Sequence, residues 1–219
     1  MSASDALGRT RLYAILDLAY VAPENAESVA HDLIRGGADL IQLRGKEKTR
    51  EELTVLARKL HRITGAAGVP LIVNDHPEVA RDVPVEGVHL GQDDLGIAAA
   101  REIVRRTCWI GKSTHGLAQA TAAVAEGSDY IGFGPLFATP TKPEYTPIGM
   151  DEIRRVHELV ARPIFCIGGI KLQNLPAVLA AGARRVVIVS GLLQSDDITA
   201  TTRAAKALLH QQSESSHPQ

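Results

Sequence analysis

A chain of 219 residues, 45% hydrophobic and 22% charged, has the length and composition of one large globular domain. Its formal charge of −1 excludes nucleic acid or a membrane surface as a general partner, so any anion site must be a local cluster of cations. No apolar run is long enough to span a bilayer, and the only two cysteines, Cys108 and Cys166, sit in apolar runs that suit buried thiols of a reducing, cytoplasmic compartment.

Residues 1–10 are small and polar and read as a flexible N-terminus rather than a secretory leader. The first apolar run, Leu12–Asp17, predicts a strand, and Ala26–Arg35 a helix. The second run, Leu40–Arg44, leads into Gly45 and Lys46. Arg50–Ile63 follows, with Leu53, Leu56, Leu60 and Ile63 at helical spacing. The third run, Pro70–Asp75, ends in Asn74 and Asp75; the fourth, Gly87–Gly91, leads to Gln92, Asp93 and Asp94. The fifth, Cys108–Ser113, is followed by Thr114, His115 and a helical stretch, Gly116–Glu126. The sixth, Tyr130–Pro135, stops at Gly-Pro and opens into Thr139, Pro140, Thr141 and Lys142. The seventh, Pro163–Gly169, ends in two glycines before the helical stretch Asn174–Ala181. The eighth, Arg185–Gly191, ends in Val189, Ser190 and Gly191. A last helix is expected over Ile198–Leu209, and the polar residues 211–219 read as a disordered tail.

The runs are unbroken rather than alternating, as in strands buried on both faces. Eight strand–helix units predict an α/β fold, a (β/α)8 TIM barrel occupying 11–210 as a single domain. An open doubly wound sheet is the runner-up, weakened because no Gly-x-Gly-x-x-Gly follows the first strand. Barrel chemistry sits at the C-terminal ends of strands, and polar groups gather there in seven of the runs. Arg44, Lys46 and Lys142 are cations suited to phosphate. Asp75 and Asp94 would share one hard cation, magnesium before others, because it uses one or two carboxylates plus substrate phosphates. Together these groups carry a net charge of about +3, against roughly −2 to −3 for a diphosphate. Gly168, Gly169, Ser190 and Gly191 offer backbone N–H groups to a second anion. Two phosphorylated substrates facing each other is the economical reading. Each piece alone has an ordinary reading: a solvated pair for Arg44 and Lys46, helix caps for Asp75 and Asp94, a tight turn for the glycines, a satisfied wall histidine for His89.

With those residues in view, the chain resembles thiamine phosphate synthase, within the superfamily that also holds the thiazole tautomerases, from Leu12 to about Leu209. The matching pieces are Gln42-Leu43-Arg44-x-Lys46, Asn74-Asp75, Gly87 to Asp94, Gly111-x-Ser113-x-His115, Gly134 to Lys142, and Gly168-Gly169-Ile170 before Asn174. The resemblance implies an enzyme that joins an aminopyrimidine methyl diphosphate to a thiazole phosphate, or its carboxylated form, and releases diphosphate. It implies that Gln42, Arg44, Lys46, Asn74, Ser113 and Lys142 grip the pyrimidine diphosphate, with Arg44, Lys46, Ser113 and Lys142 catalytic. It implies one magnesium ion on Asp75 and Asp94, and a thiazole phosphate site at Thr139, Pro140, Thr141, Gly169, Val189 and Ser190. The partners are then two small phosphorylated heterocycles, with no nucleic acid and no membrane; self-association is left open.

Three features depart from the pattern. Gly45 stands where an acidic residue is common in that family, which implies a looser strand end. Lys112 is an added cation beside Ser113, and strand alternation points it to the opposite face. The loop Pro143 to Pro147 is as close to the thiazole tautomerases. A tautomerase working through His115 is therefore the sister alternative; a non-catalytic phosphate-binding barrel is the alternative of another class. Lys46, Asp94 and Lys142 speak against the first, which holds no diphosphate.

Overall fold

The computed structural model describes residues 7–139 and 145–215, with side chains described to Gln211. Eight parallel strands close on themselves in sequence order, β1 Leu12–Asp17, β2 Leu40–Arg44, β3 Leu71–Asn74, β4 Gly87–Leu90, β5 Trp109–Thr114, β6 Tyr130–Phe133, β7 Ile164–Cys166 and β8 Val186–Ile188. The ring closes through Tyr13 beside Val187 and Ala14 beside Ile188. The helices are α1 Ala26–Gly36, α2 Arg50–Ala66, α3 Pro77–Asp82, α4 Ile97–Ile103, α5 Leu117–Ala125, α6 Ile153–Leu159, α7 Leu175–Ala180, α8 Ser190–Leu193 and α9 Ile198–Ser215. This is the expected (β/α)8 barrel. The start of α2 has a local cause: the Thr49 hydroxyl accepts the Glu52 N–H at 3.2 Å while the Glu52 carboxylate accepts the Thr49 N–H at 2.8 Å, a capping box.

Two apolar cores follow from the strand period of two. The larger lies between strands and helices and joins Leu12, Leu16, Leu43, Val73, Val88 and Ile110 to α1, α2 and their successors. The smaller fills the barrel itself: Tyr13, Ile15, Leu40, Ile72, Tyr130, Phe165 and Val187, plugged from below by Leu7. Leu7 is fully buried, and Leu7–Arg9 form a helical turn. Of the segment 1–10 expected to be flexible, residues 1–6 lie outside the described residues, and Leu7 packs into the barrel. One leucine among small polar residues has no periodicity to announce it. At the other terminus α9 runs to Ser215, past the predicted Leu209, so residues 211–215 of the expected tail are helical. No described helix is long and apolar enough to cross a membrane.

Cys108 and Cys166 are both free and buried, and burial pushes their thiols up to about 11 and about 12, so both stay protonated and inert. His157 on α6 is the half-buried base to watch. Desolvation first, then the charges of Arg184 and Arg185, lower it from 6.5 to about 4. The folded protein thus holds this imidazole neutral over a range where the unfolded chain protonates it. Stability from this group is present above pH 6.5 and is lost as pH falls from 6.5 towards 4, by about 3 kcal/mol. Melting temperature should drop across that window, and His157→Leu should flatten the drop; an unchanged slope in the variant would count against this origin.

Candidate active site

The C-terminal rim of the barrel carries two adjoining cavities. The first is lined by Gln42, Arg44, Asn74, Ser113, Thr139, Gly169, Val189 and Ser190 among others. The second is lined by Arg44, Lys46, Asn74, Asp75, Asp94 and Ser113, with Gln92, Asp93 and Tyr145. Arg44, Asn74 and Ser113 form the wall common to both. The structure thus brings together every described residue expected at the site; Pro140, Thr141 and Lys142 lie outside the described residues.

The ordinary reading of the acidic pairs as helix caps does not hold. α3 begins after His76 and α4 after Gly96, and neither has a side-chain cap. Instead the Asp94 carboxylate accepts the Gly91 N–H at 2.6 Å, turning back onto the end of β4. Asp75 has φ of +64°, the left-handed region that side chains other than glycine and asparagine or aspartate rarely take. Its N–H donates to the His89 carbonyl at 2.8 Å, which ties the end of β3 to β4.

Arg44 is buried and ion-paired to Asp17, the last residue of β1, whose side chain is 1% exposed. The register sets Asp17 beside Arg44, so the pair is a product of the pairing of β1 with β2. Asp17 was missed in the sequence, although it is the one charged residue of its strand and stands at the same end as the others. It offsets the Arg44 charge and brings the site, with a divalent cation, to about +2, which still matches a diphosphate. Lys112 points away from the cavities as strand alternation demands and donates to the Gly91 carbonyl at 2.6 Å. It supports the turn that carries Asp94 rather than adding charge to the site. Gly45 is not a loose point: a Cβ there would lie 2.8 Å from Leu18 Cδ1 and 3.0 Å from Leu53 Cδ2, so the backbone is packed tight.

On the opposite wall, Gly168 and Gly169 have φ of +102° and +65°. Cβ atoms would lie 2.4 Å from Pro135 Cα and 2.7 Å from Phe137 Cβ, so the turn after β7 and the segment leading to Thr139 touch backbone to backbone. Phe137 N–H donates to the Gly168 carbonyl at 3.0 Å, and Asn174 Nδ2 donates to the Gly169 carbonyl at 2.9 Å. His115 packs its ring on Tyr145, centroids 4.6 Å apart, and its Nδ1 bonds to the Gly134 carbonyl. A carbonyl only accepts, so Nδ1 carries a proton; the buried Nε2 has no hydrogen-bond partner among the described residues.

Sequence reasoning also missed a buried polar layer inside the barrel. Tyr13 and Tyr130 meet inside the barrel, hydroxyl to hydroxyl at 3.2 Å, and His89 bonds to Tyr130 at 3.1 Å and to Ser113 at 2.9 Å. His89 is a satisfied histidine of the wall, as the ordinary reading had it, but it also lines the cavity.

A family model described as thiamine monophosphate synthase matches residues 12–192. Among similar proteins, the thiamine-phosphate synthase of Chloroflexus aurantiacus is 41% identical over 200 residues, covering 91% of this chain and 92% of that one. That of Halalkalibacterium halodurans is 39% identical over 202 residues, covering 92% and 96%. Among solved structures, thiamine phosphate pyrophosphorylase from Pyrococcus furiosus superposes with a TM-score of 0.85 at 29% identity, covering 94% and 98%. With the barrel, the paired cavities and these likenesses together, the chain belongs to the thiamine monophosphate synthase family.

Proposed function

We propose that this protein condenses an aminopyrimidine methyl diphosphate with a thiazole phosphate to give thiamine phosphate and diphosphate. The observation that carries the reading is the pair of cavities sharing Arg44, Asn74 and Ser113: one wall presents cations and carboxylates, the other presents glycine-rich backbone. Two anionic ligands can lie there with their reacting ends at the common wall. In this reading Gln42, Arg44, Lys46, Asn74, Ser113 and Lys142 hold the pyrimidine diphosphate, and Thr139, Pro140, Thr141, Gly169, Val189 and Ser190 hold the thiazole phosphate.

The donor set suits magnesium. Asp75 and Asp94 line one cavity with hard oxygen donors, and among the described residues no third metal-binding side chain joins them, which leaves positions for phosphate oxygens and water. When bound, the ion neutralises charge on the diphosphate. The chain's own residues do the rest. Breaking the C–O bond sends its electron pair to the diphosphate, where Lys46, Lys142 and Arg44 meet a charge greater than in the ground state. The pyrimidinylmethyl cation left behind is trapped by the thiazole nitrogen lone pair, forming the C–N bond. That nitrogen has no proton to lose, so no general base is needed.

The decisive experiment mixes protein, magnesium, pyrimidine diphosphate and either thiazole phosphate or its carboxylated form, and follows diphosphate release. Release with one or both is expected; none with either would sink the reading. Lys142→Ala is expected to lower turnover about a hundredfold, by the scale of one lost transition-state contact, while thiazole phosphate binding changes little. Equal losses in both would remove Lys142 from the leaving-group role.

One observation favours a second activity in the same pocket, a thiazole tautomerase. His115 lines the first cavity, and its Nε2 has no hydrogen-bond partner among the described residues. Isomerisation of a thiazole carboxylate phosphate without pyrimidine diphosphate, lost in His115→Gln, would establish it.

A further inference from the structure

Three residues of the first cavity's lining, Gln42, His89 and Ser113, belong to one hydrogen-bonded chain that passes through the buried barrel interior on five strands. Gln42 Nε2 reaches the Tyr13 hydroxyl at 2.5 Å, Tyr13 reaches Tyr130, Tyr130 reaches His89 Nδ1, and His89 Nε2 reaches Ser113 Oγ. Its two ends, Gln42 and Ser113, are both residues of the pyrimidine diphosphate grip in the reading above. The links between them, Tyr13 and Tyr130, are 1% and 0% exposed and have no role in that grip.

The chain is accommodated at specific positions. Tyr130 fits only because its neighbour on β5 is Gly111, where a Cβ would lie 2.1 Å from Tyr130 Cζ. His89 lies against Gly132, where a Cβ would be 3.3 Å from its Cε1. Burial, above all, pushes both phenols well above their ordinary range, so each keeps one proton to donate.

Where the imidazole carries one proton and no buried phenol proton is left without an acceptor, two polarities run unbroken from Gln42 to Ser113. In the first, Gln42 donates to Tyr13, Tyr13 to Tyr130, Tyr130 to His89 Nδ1, and His89 Nε2–H to Ser113. The Gln42 Oε1, buried and without a partner among the described residues, is then an acceptor. Ser113 keeps its own proton for a ligand. In the second, every bond is reversed: the Gln42 amide offers N–H to the ligand, and Ser113 spends its proton on His89 and offers only lone pairs.

Resting on the proposed condensation, we propose that this chain is a relay that couples recognition of the pyrimidine's amino group at Gln42 to the donor state of Ser113 at the diphosphate end. An exocyclic amino group donates to Gln42 Oε1 and selects the first polarity. Ser113 then donates to an anionic oxygen. A pyrimidine carrying a carbonyl in place of the amino group selects the second polarity, and Ser113 turns lone pairs towards the anion. Tyr13 and Tyr130 are positioning residues, outside the lining of the cavity and acting through the two ends; His89, which borders the cavity, passes the polarity on to Ser113. The relay rejects an oxo-pyrimidine diphosphate beyond the direct mismatch at Gln42.

The test is a mutant cycle with a spectroscopic readout. Tyr130→Phe keeps the ring and removes the middle link. Steady-state kinetics should show about a tenfold fall in kcat/KM for the pyrimidine diphosphate, the scale of one hydrogen bond, with the KM for thiazole phosphate unchanged. In a Ser113→Ala background the same change should cost less than about twofold, because Tyr130 acts through Ser113. Nitrogen NMR of His89 with aminopyrimidine diphosphate bound should show a proton on Nε2 and a bare Nδ1 in the parent protein, and mixed tautomers in Tyr130→Phe. An equal loss in both backgrounds, or a proton on Nδ1 in the parent complex, overturns the relay. If Tyr130→Phe does not fold, Tyr13→Phe cuts the chain one link earlier with the same expectations. Failure of the parent protein to condense the substrates would sink the function reading, and the His89 tautomer would then decide the relay alone.

Discussion

Arg44→Met should cost the protein its fold stability and its turnover together, and the two losses should be separable. Asp17 is 1% exposed in its side chain and Arg44 9%. Removing the guanidinium leaves a buried carboxylate whose remaining described side-chain partner is the Ala19 N–H at 3.0 Å. Breaking one side of a buried pair costs roughly 3–5 kcal/mol, which for a domain of this size lowers the melting temperature by about 10 °C. Turnover should fall by roughly 10²–10³, the scale of one lost transition-state contact. Asp17→Asn added to Arg44→Met removes the stranded charge and should return most of the stability while restoring none of the activity. Calorimetry and diphosphate release, run on both variants, distinguish these outcomes. A single mutant that melts like the parent would mean that the pair contributes nothing to folding.

The second large effect is expected at Asp75, where stability and turnover should move apart. A residue with a Cβ held at φ +64° carries strain of about 1 kcal/mol or more. Asp75→Gly relieves it and Asp75→Ala does not, so the glycine variant should be the more stable of the two by about 1 kcal/mol. Both lose the carboxylate, and both should lose turnover by about 10³, with added magnesium failing to restore it. If Asp75→Gly kept normal turnover, the carboxylate would have no part in metal or diphosphate binding. A glycine that fits the backbone better and yet is absent from the sequence is what a functional carboxylate predicts.

The barrel was legible because its signal is local: eight unbroken apolar runs, each followed by a helical period, need no knowledge of what lies next to what. The site was half legible for a related reason. Strand ends point the same way in a parallel barrel, so Asn74, Asp75, Asp94, Ser113 and Ser190 could be collected by reading only those ends. What the sequence hid depends on register. Asp17 meets Arg44 across the first two strands, and no spacing along the chain records that pairing. Tyr13 and Tyr130 sit 117 residues apart and look like ordinary aromatic strand residues until closure brings their hydroxyls together. Lys112 could be oriented by alternation, but its task, holding the Gly91 carbonyl, could not. Leu7 and the last turns of α9 were hidden for lack of a repeating pattern.

Gly111 and Gly132 bring no functional group to this protein, yet they limit how its pocket can be redesigned. The space each vacates is already occupied by a neighbour's ring, so it is not spare volume. A methyl at 111 would overlap a fully buried tyrosine, and the ring could leave only by breaking the hydrogen-bonded chain inside the barrel. A library meant to admit bulkier heterocycles should therefore hold these two positions constant and vary Ile15, Ile167 and Val187, which border the same cavity without being slotted into it. Variants drawn from the aliphatic set should retain the parent's melting temperature far more often than variants at either glycine.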